Sequence, residues 1–324
     1  MGILPMSIHQ QYARVTGESS TAMKRLLILV PIVLLATDLR AERWKLIWSD
    51  EFNYTGLPDD KKWDYEEGFV RNHELQYYTR KRAANARVKD GNLIITGRKE
   101  KFPNARHRPG SKGWQSGRKE ARYTAASLIT RNRFSFLYGR IEVRARLPRG
   151  KGVWPAIWTL GTNRSVNRWP RCGEIDIMEY VGKDPHRVHA NAHYAVNGRH
   201  RSKGGKHKTK APYEAFHIYA IEWFPDRIDF YFDKVKYFTF PIDHAGKGPE
   251  NPFRKPHYLL INLALGGSWG GAMDDKVLPQ QYLIDYVRIY KQVPARRTER
   301  PGSGAARDAH AGAGTATRCT ARTG

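Results

Sequence analysis

Ile141-Glu142-Val143-Arg144-Ala145-Arg146-Leu147 alternates apolar and charged side chains at every step. A period of two puts the apolar members on one face of an extended chain and the charged members on the other, so the segment reads as a half-buried β-strand. Similar short runs recur at Asn92 to Gly97, Val188 to Tyr194, Phe216 to Trp223, Ile228 to Phe232, Tyr258 to Leu265 and Leu283 to Tyr290, each bounded by Gly, Pro, Asn or Asp. No amphipathic pattern longer than about two helical turns interrupts them. Many short strands separated by turn residues predict an all-β domain of two packed antiparallel sheets, a sandwich or jelly roll.

All nine Trp and all twelve Phe of the 324 residues lie between Glu42 and Val293, so residues 42–293 hold the core-forming material. Met23-Lys24-Arg25 precedes an apolar run from Leu26 to Ala36. That run is about half of a membrane span, and a charged start before a short apolar core predicts an export signal in residues 1–41. Translation is expected to begin at Met23, with Ala41 as the cleavage point and a secreted or periplasmic product; a buried hairpin or helix is the alternative. Pro294 to Gly324 carries no aromatic residue and no Val, Ile or Leu, which predicts a disordered basic tail. No stable membrane span is expected, and a monomer is.

Lys and Arg number 56 against 31 Asp and Glu, a formal charge of +25. Within residues 42–293 the counts are 46 and 27, so about +19 belongs to the folded part. Such charge could attract nucleic acid, an anionic membrane or an acidic polysaccharide. No helix-turn-helix, zinc-finger or RNA-binding signature accompanies it, so no specific nucleic-acid partner is expected. Two cysteines, Cys172 and Cys319, exclude a disulfide scaffold and a multi-thiolate zinc module. Two stretches break the strand rhythm and read as long surface loops, Lys101 to Arg122 and Asn197 to Ala211. The second is almost purely basic, and is either a solvated loop or a clamp for an anionic ligand.

Gly173-Glu174-Ile175-Asp176-Ile177-Met178-Glu179-Tyr180 carries the chemistry. On a regular strand Glu174 and Asp176 share a face, whereas Glu179 would point the other way. A one-residue β-bulge near Ile177-Met178 restores the parity and gathers all three acids. Crowded carboxylates repel one another, so at least one stays protonated near neutral pH. A protonated acid beside an ionised one suits glycoside hydrolysis, and neighbours on one strand face match the roughly 5–5.5 Å of a retaining enzyme. Solvated surface acids or a calcium or magnesium site remain alternatives.

Trp154 and Trp158 are four apart and share a strand face, with Trp169 nearby. Indole rings suit the apolar faces of pyranoses, although two Trp could equally be core. His189, Asn191 and His193 alternate with apolar residues, so their side chains share one face and His193 could bond the acids or a sugar.

Taken in order, Trp154 to Leu160, Gly173 to Tyr180, His189 to Tyr194, Phe216 to Asp226 and Leu260 to Gly271 resemble glycoside hydrolase family 16. Within it the likeness is to the laminarinase-type endo-1,3-β-glucanases, and it runs from about residue 46 to residue 291. The resemblance implies a concanavalin A-like β-jelly-roll sandwich with a substrate cleft on its concave face. It implies Glu174 as nucleophile, Glu179 as general acid/base and Asp176 as the acid that tunes them. Trp154, Trp158 and His193 match cleft positions near the cleavage point, Asn72 a polar sugar contact and Trp269 a cleft aromatic. The implied partner is a laminarin-like β-glucan, cleaved with retention and without a catalytic cofactor. A structural Ca2+ is also implied, with Glu51, the Gly91 carbonyl and Asp285 at matching positions, although these acids could be ordinary surface groups. Mixed-linkage glucan or an anionic galactan as substrate, or non-catalytic glucan binding, are the competing functions; the basic loops favour the anionic galactan.

Overall fold

The computed structural model describes residues 44–293. The export segment, the tail and Cys319 lie outside the described residues. In chain order the strands begin with β1 (Trp44–Asp50), β2 (Asp64–Tyr65), β3 (Gln76–Tyr78), β4 (Ala86–Lys89), β5 (Asn92–Pro103) and β6 (Glu120–Ala125). Next come β7 (Ser127–Ile129), β8 (Gly139–Arg146), β9 (Val153–Gly161), β10 (Glu174–Glu179), β11 (Arg187–Val196) and β12 (Arg199–Lys208). The series ends with β13 (His217–Trp223), β14 (Arg227–Phe232), β15 (Val235–Pro241), β16 (His257–Leu265) and β17 (Gln280–Gln292). A single four-residue helix, α1 (Gly267–Gly270), and short 3-10 turns complete the described part. No helix among the described residues is long and apolar enough to cross a membrane.

Two sheets form, as the alternation predicts. The larger runs β15-β14-β13-β8-β17-β5-β6-β3, with β1 beside β17 and β4 beside β5. The smaller runs β12-β11-β10-β9-β16-β7-β2. Pairing is antiparallel except between β3 and β6. In β8, Ile141, Val143 and Ala145 are fully buried while Arg140, Glu142 and Arg144 stay half-buried on the outer face. Ile141, Val143 and Ala145 meet Ile175 and Ile177 of β10 and Leu259, Ile261 and Leu263 of β16 in one core cluster. Each such large apolar side chain contributes roughly 1.5–3 kcal/mol on burial. Strand β16 is buried on both faces. Its second face packs Tyr258 and Leu260 against Ala156, Trp158 and Leu160. The outer face of the smaller sheet is therefore a covered apolar floor, the surface on which the acidic residues stand.

Most of Asn197 to Ala211 is strand, not loop. Asn197 and Gly198 have φ of 50° and 73°, the two-residue hairpin turn that folds β12 back along β11. The ladder then runs without a break from Val196↔Arg199 to Arg187↔Lys208. Backbone pairing requires no apolar side chains, and an outermost strand tolerates dense positive charge, which also discourages further strand addition. Gly205 lets β12 lie against β15, since a Cβ there would sit 2.4 Å from the Cβ of Phe238. In the other expected loop, Lys101 to Pro103 extend β5 and Glu120 to Arg122 begin β6.

Candidate active site

Strand β10 carries the bulge that the spacing of its acids demands. Along β9, Asp176 pairs with Trp158 and Met178 with the very next residue, Ile157. Along β11, Asp176 pairs with Asn191 and Glu179 with His189, three steps against two. Ile177 and Met178 both enter the core. Glu179 thereby returns to the face of Glu174 and Asp176.

The three carboxyl groups line a cleft of ≈ 280 Å³ together with Asn72, Trp154 and Trp158. Glu174 and Glu179 are half-buried at its floor and Asp176 is sealed. His193 Nε2 stands 3.2 Å from Asp176 Oδ2 and 4.0 Å from Glu174 Oε1. Trp154 donates its indole N–H to Glu179 Oε1 at 3.1 Å. Burial, followed by the charge of Asp176, pushes the Glu174 carboxyl up to about 8, with His193 and Arg71 pulling against that rise. Burial also raises Asp176. Glu179 is held well above the ordinary range by burial and then by the charges of Asp176 and Glu174. Three such neighbours cannot all be ionised at neutral pH.

The cleft walls come from distant segments. Asn72 adopts a φ of 55°, and its carbonyl accepts the Ser268 N–H at 2.9 Å, tying its loop to α1. On α1, Trp269 packs edge-on against Trp154 at 5.5 Å and against His189 at 4.9 Å. Trp269 and His193 thus back the cleft, whereas Asn72, Trp154, Trp158 and the acids form its surface. Trp158 gives its N–H to Asn262 Oδ1 at 2.7 Å, and Asn262 in turn donates to the Tyr78 hydroxyl at 2.9 Å. The Arg71 guanidinium lies 4.8 Å from the Trp158 ring centre and pairs with the half-buried Glu66. Arg71, Glu74, Arg164 and Asn262 line the cleft as well and were not singled out from the sequence. Asn262 did leave a signal, as the one polar residue within Tyr258 to Leu265. The loop arginines left none.

Glu51, Gly91 and Asp285 sit on or beside the strands of the other sheet. Glu51 accepts from Arg288 at 2.8 Å, and that guanidinium holds its carboxyl below the ordinary range. Asp285 accepts from Arg144 at 2.5 Å. Gly91 forms the β4–β5 turn with a φ of 71°. Both acids are already neutralised by arginines, so these residues do not fit a cation as they are arranged.

Residues 73–288 match the model of glycosyl hydrolases family 16. The chain is 43% identical over 281 residues to a beta-glucanase of Rhodothermus marinus, covering 82% of this chain and 92% of that one. It is 33% identical to a glucan endo-1,3-beta-glucosidase of Cryptopygus antarcticus, covering 74% of this chain and 87% of the relative. Among solved structures, the laminarinase from Rhodothermus marinus superimposes with a TM-score of 0.67 at 43% identity, covering 78% of this chain and 98% of that one. Sandwich, bulge, acid cluster and likeness over most of the length agree, and the chain belongs to glycosyl hydrolases family 16.

Proposed function

We propose that this protein is a retaining endo-β-1,3-glucanase of laminarin-like β-glucans, with Glu174 as nucleophile and Glu179 as acid/base. The observation that carries the assignment is the bulge of β10, which delivers Glu179 to the face of Glu174 inside a tryptophan-lined cleft. Glu174, in its ionised form, attacks the anomeric carbon. Glu179 retains its proton and gives it to the departing glycosidic oxygen. The resulting glycosyl ester on Glu174 is opened by water, whose proton returns to Glu179 while the bond to Glu174 breaks. Configuration at the anomeric carbon is inverted twice and so retained.

Asp176 modulates the charge of Glu174, and His193 offers it a countercharge or a hydrogen bond. Trp154 and Trp158 offer faces for pyranose stacking. Ligand atoms of Glu174, Asp176 and His193 lie within 4.8 Å of one another, close enough to hold a cation. The acid/base pair uses the same closeness with water alone. Proton NMR of early laminarin digests tests the assignment: a β-anomer is expected first, and an initial α-anomer would overturn it. Replacement of Glu174 by Gln should abolish release of reducing ends.

Export is part of the same proposal, resting on Met23-Lys24-Arg25 and the apolar run that follows. Intact mass of the secreted product tests it, with a start after Ala41 expected.

A further inference from the structure

The cleft continues past the Glu174 end of the acidic strand. Glu174 pairs with Leu160 near the end of β9, and the chain then turns through Thr162–Ser165. Arg164 of that turn lines the cleft and also a second, larger hollow of ≈ 670 Å³. Arg131, Arg133, Ser135, Thr162 and Tyr258 line the hollow with it.

The walls of this hollow are fixed. In the turn after β7, the Arg133 and Phe134 N–H groups both donate to the Thr130 carbonyl at 2.9 Å, and Thr130 Oγ1 donates to the Phe134 carbonyl at 2.9 Å. Opposite, the Thr162 N–H donates to the Pro256 carbonyl at 2.9 Å. Tyr258, buried in β16, and Arg164 both line the hollow.

Three arginines line this hollow and no carboxylate does. By contrast, Arg71 in the cleft is ion-paired with Glu66, and Arg140 with Glu142 and Glu222. Arg131, Arg133 and Arg164 have no acid within 4.0 Å among the described residues. A guanidinium fork matches an oxyanion in bidentate fashion, and the hydroxyl of Ser135 adds a donor of the same sense.

We propose that this hollow is an oxyanion subsite for a substituted glycan: a β-glucan seated in the cleft whose sulfate ester, carboxylate or phosphate falls between Arg131, Arg133 and Arg164. Arg164 supplies the continuity, because one side chain borders both the backbone of the glycan and its substituent. The proposal rests on the β-glucanase reading of the cleft and adds the class of substrate that it prefers.

The test compares neutral laminarin with lightly sulfated laminarin, using the full-length chain at low and at high salt. Three proteins are needed: the wild type, an Arg131→Ala/Arg133→Ala variant, and an Arg201→Ala/Lys203→Ala variant that removes equal charge from β12. The wild type should favour the sulfated polymer in kcat/KM by about fivefold at low salt, an exposed-pair magnitude. The Arg131/Arg133 variant should lose that preference while its turnover of neutral laminarin stays within about twofold. The β12 variant should keep the preference. Equal loss in both variants would make bulk charge the cause and overturn the subsite, as would an unchanged preference in the Arg131/Arg133 variant. Affinity electrophoresis on the same two polymers reads the subsite without turnover. Failure to cleave neutral laminarin, with retained selective binding, would therefore overturn the β-glucanase reading alone. Carboxymethylated and phosphorylated glucans in place of the sulfated one then identify the substituent.

Discussion

Replacing Glu174 by Gln should stabilise the fold while it abolishes hydrolysis, and the gain should depend on pH in a defined way. In the folded protein this carboxyl titrates at about 8, against an ordinary value of 4.5. At pH values below the ordinary one it is protonated in both folded and unfolded chains and contributes nothing. Between the two values the unfolded chain ionises while the folded chain keeps its proton. The folded state then binds more protons, and stability falls as pH rises, by about 1.4 kcal/mol per unit. Above the folded value both states are ionised and the loss levels off. The whole span is on the order of 5 kcal/mol, and relaxation of neighbouring acids reduces what is realised at pH 7 to about 2–3 kcal/mol. For a domain of this size that is a rise in Tm of roughly 4–12 °C. Gln keeps the shape and removes the charge. Calorimetry of both proteins across the acid to mildly alkaline range is the assay. The two Tm curves should meet in acid and diverge steadily toward pH 8. Curves that stay parallel, or a variant that melts lower at pH 8, would refute the claim that burial and Asp176 strain this carboxylate.

Deleting Met178 removes the extra residue of β10 and turns Glu179 toward the core, so laminarin hydrolysis should fall by about 10²–10⁴-fold, the worth of a general acid. Met178→Leu keeps the bulge and should retain activity in the same reducing-end assay. Trp154→Phe removes the N–H that favours the ionised form of Glu179. Its alkaline limb in a pH profile of kcat/KM should therefore move to higher pH, and a downward move would contradict that hydrogen bond. Because Arg288 and Arg144 already neutralise Glu51 and Asp285, calcium or a chelator should change Tm by less than about 1 °C, well under the 2–4 °C that each kcal/mol is worth.

The layers, the core faces and the bulge were legible because each leaves a local parity signal. Alternation in β8 states which side is buried, and the odd spacing of Glu179 from Glu174 has no other economical solution on a strand. The charge pattern of β12 carried no such signal. Its side chains are exposed on both faces for most of its length. The Asn197-Gly198 turn was the sole local clue, and the basic run beside it masked that clue. Pairings made by register were illegible for a different reason. Asp285 of β17 meets Arg144 of β8, residues 141 positions apart, and Glu51 meets Arg288 at a separation of 237. Nothing local announces such neighbours, so two acids that matched a calcium pattern are salt-bridged.

The strand that sequence missed is also joined to the catalytic acids. His193 Nδ1 lies 2.9 Å from Nε2 of His200 on β12, while its Nε2 faces Asp176. One imidazole must donate and the other accept in the His193–His200 bond. Burial, and then the charge of His193, lowers the pKa of His200. Trp169 packs 4.7 Å from the His200 ring at the edge of the cleft and holds it in place. The histidine beside the nucleophile is thus held by a hydrogen bond from an exposed strand whose charge, read alone, suggested only solvent or a polyanion.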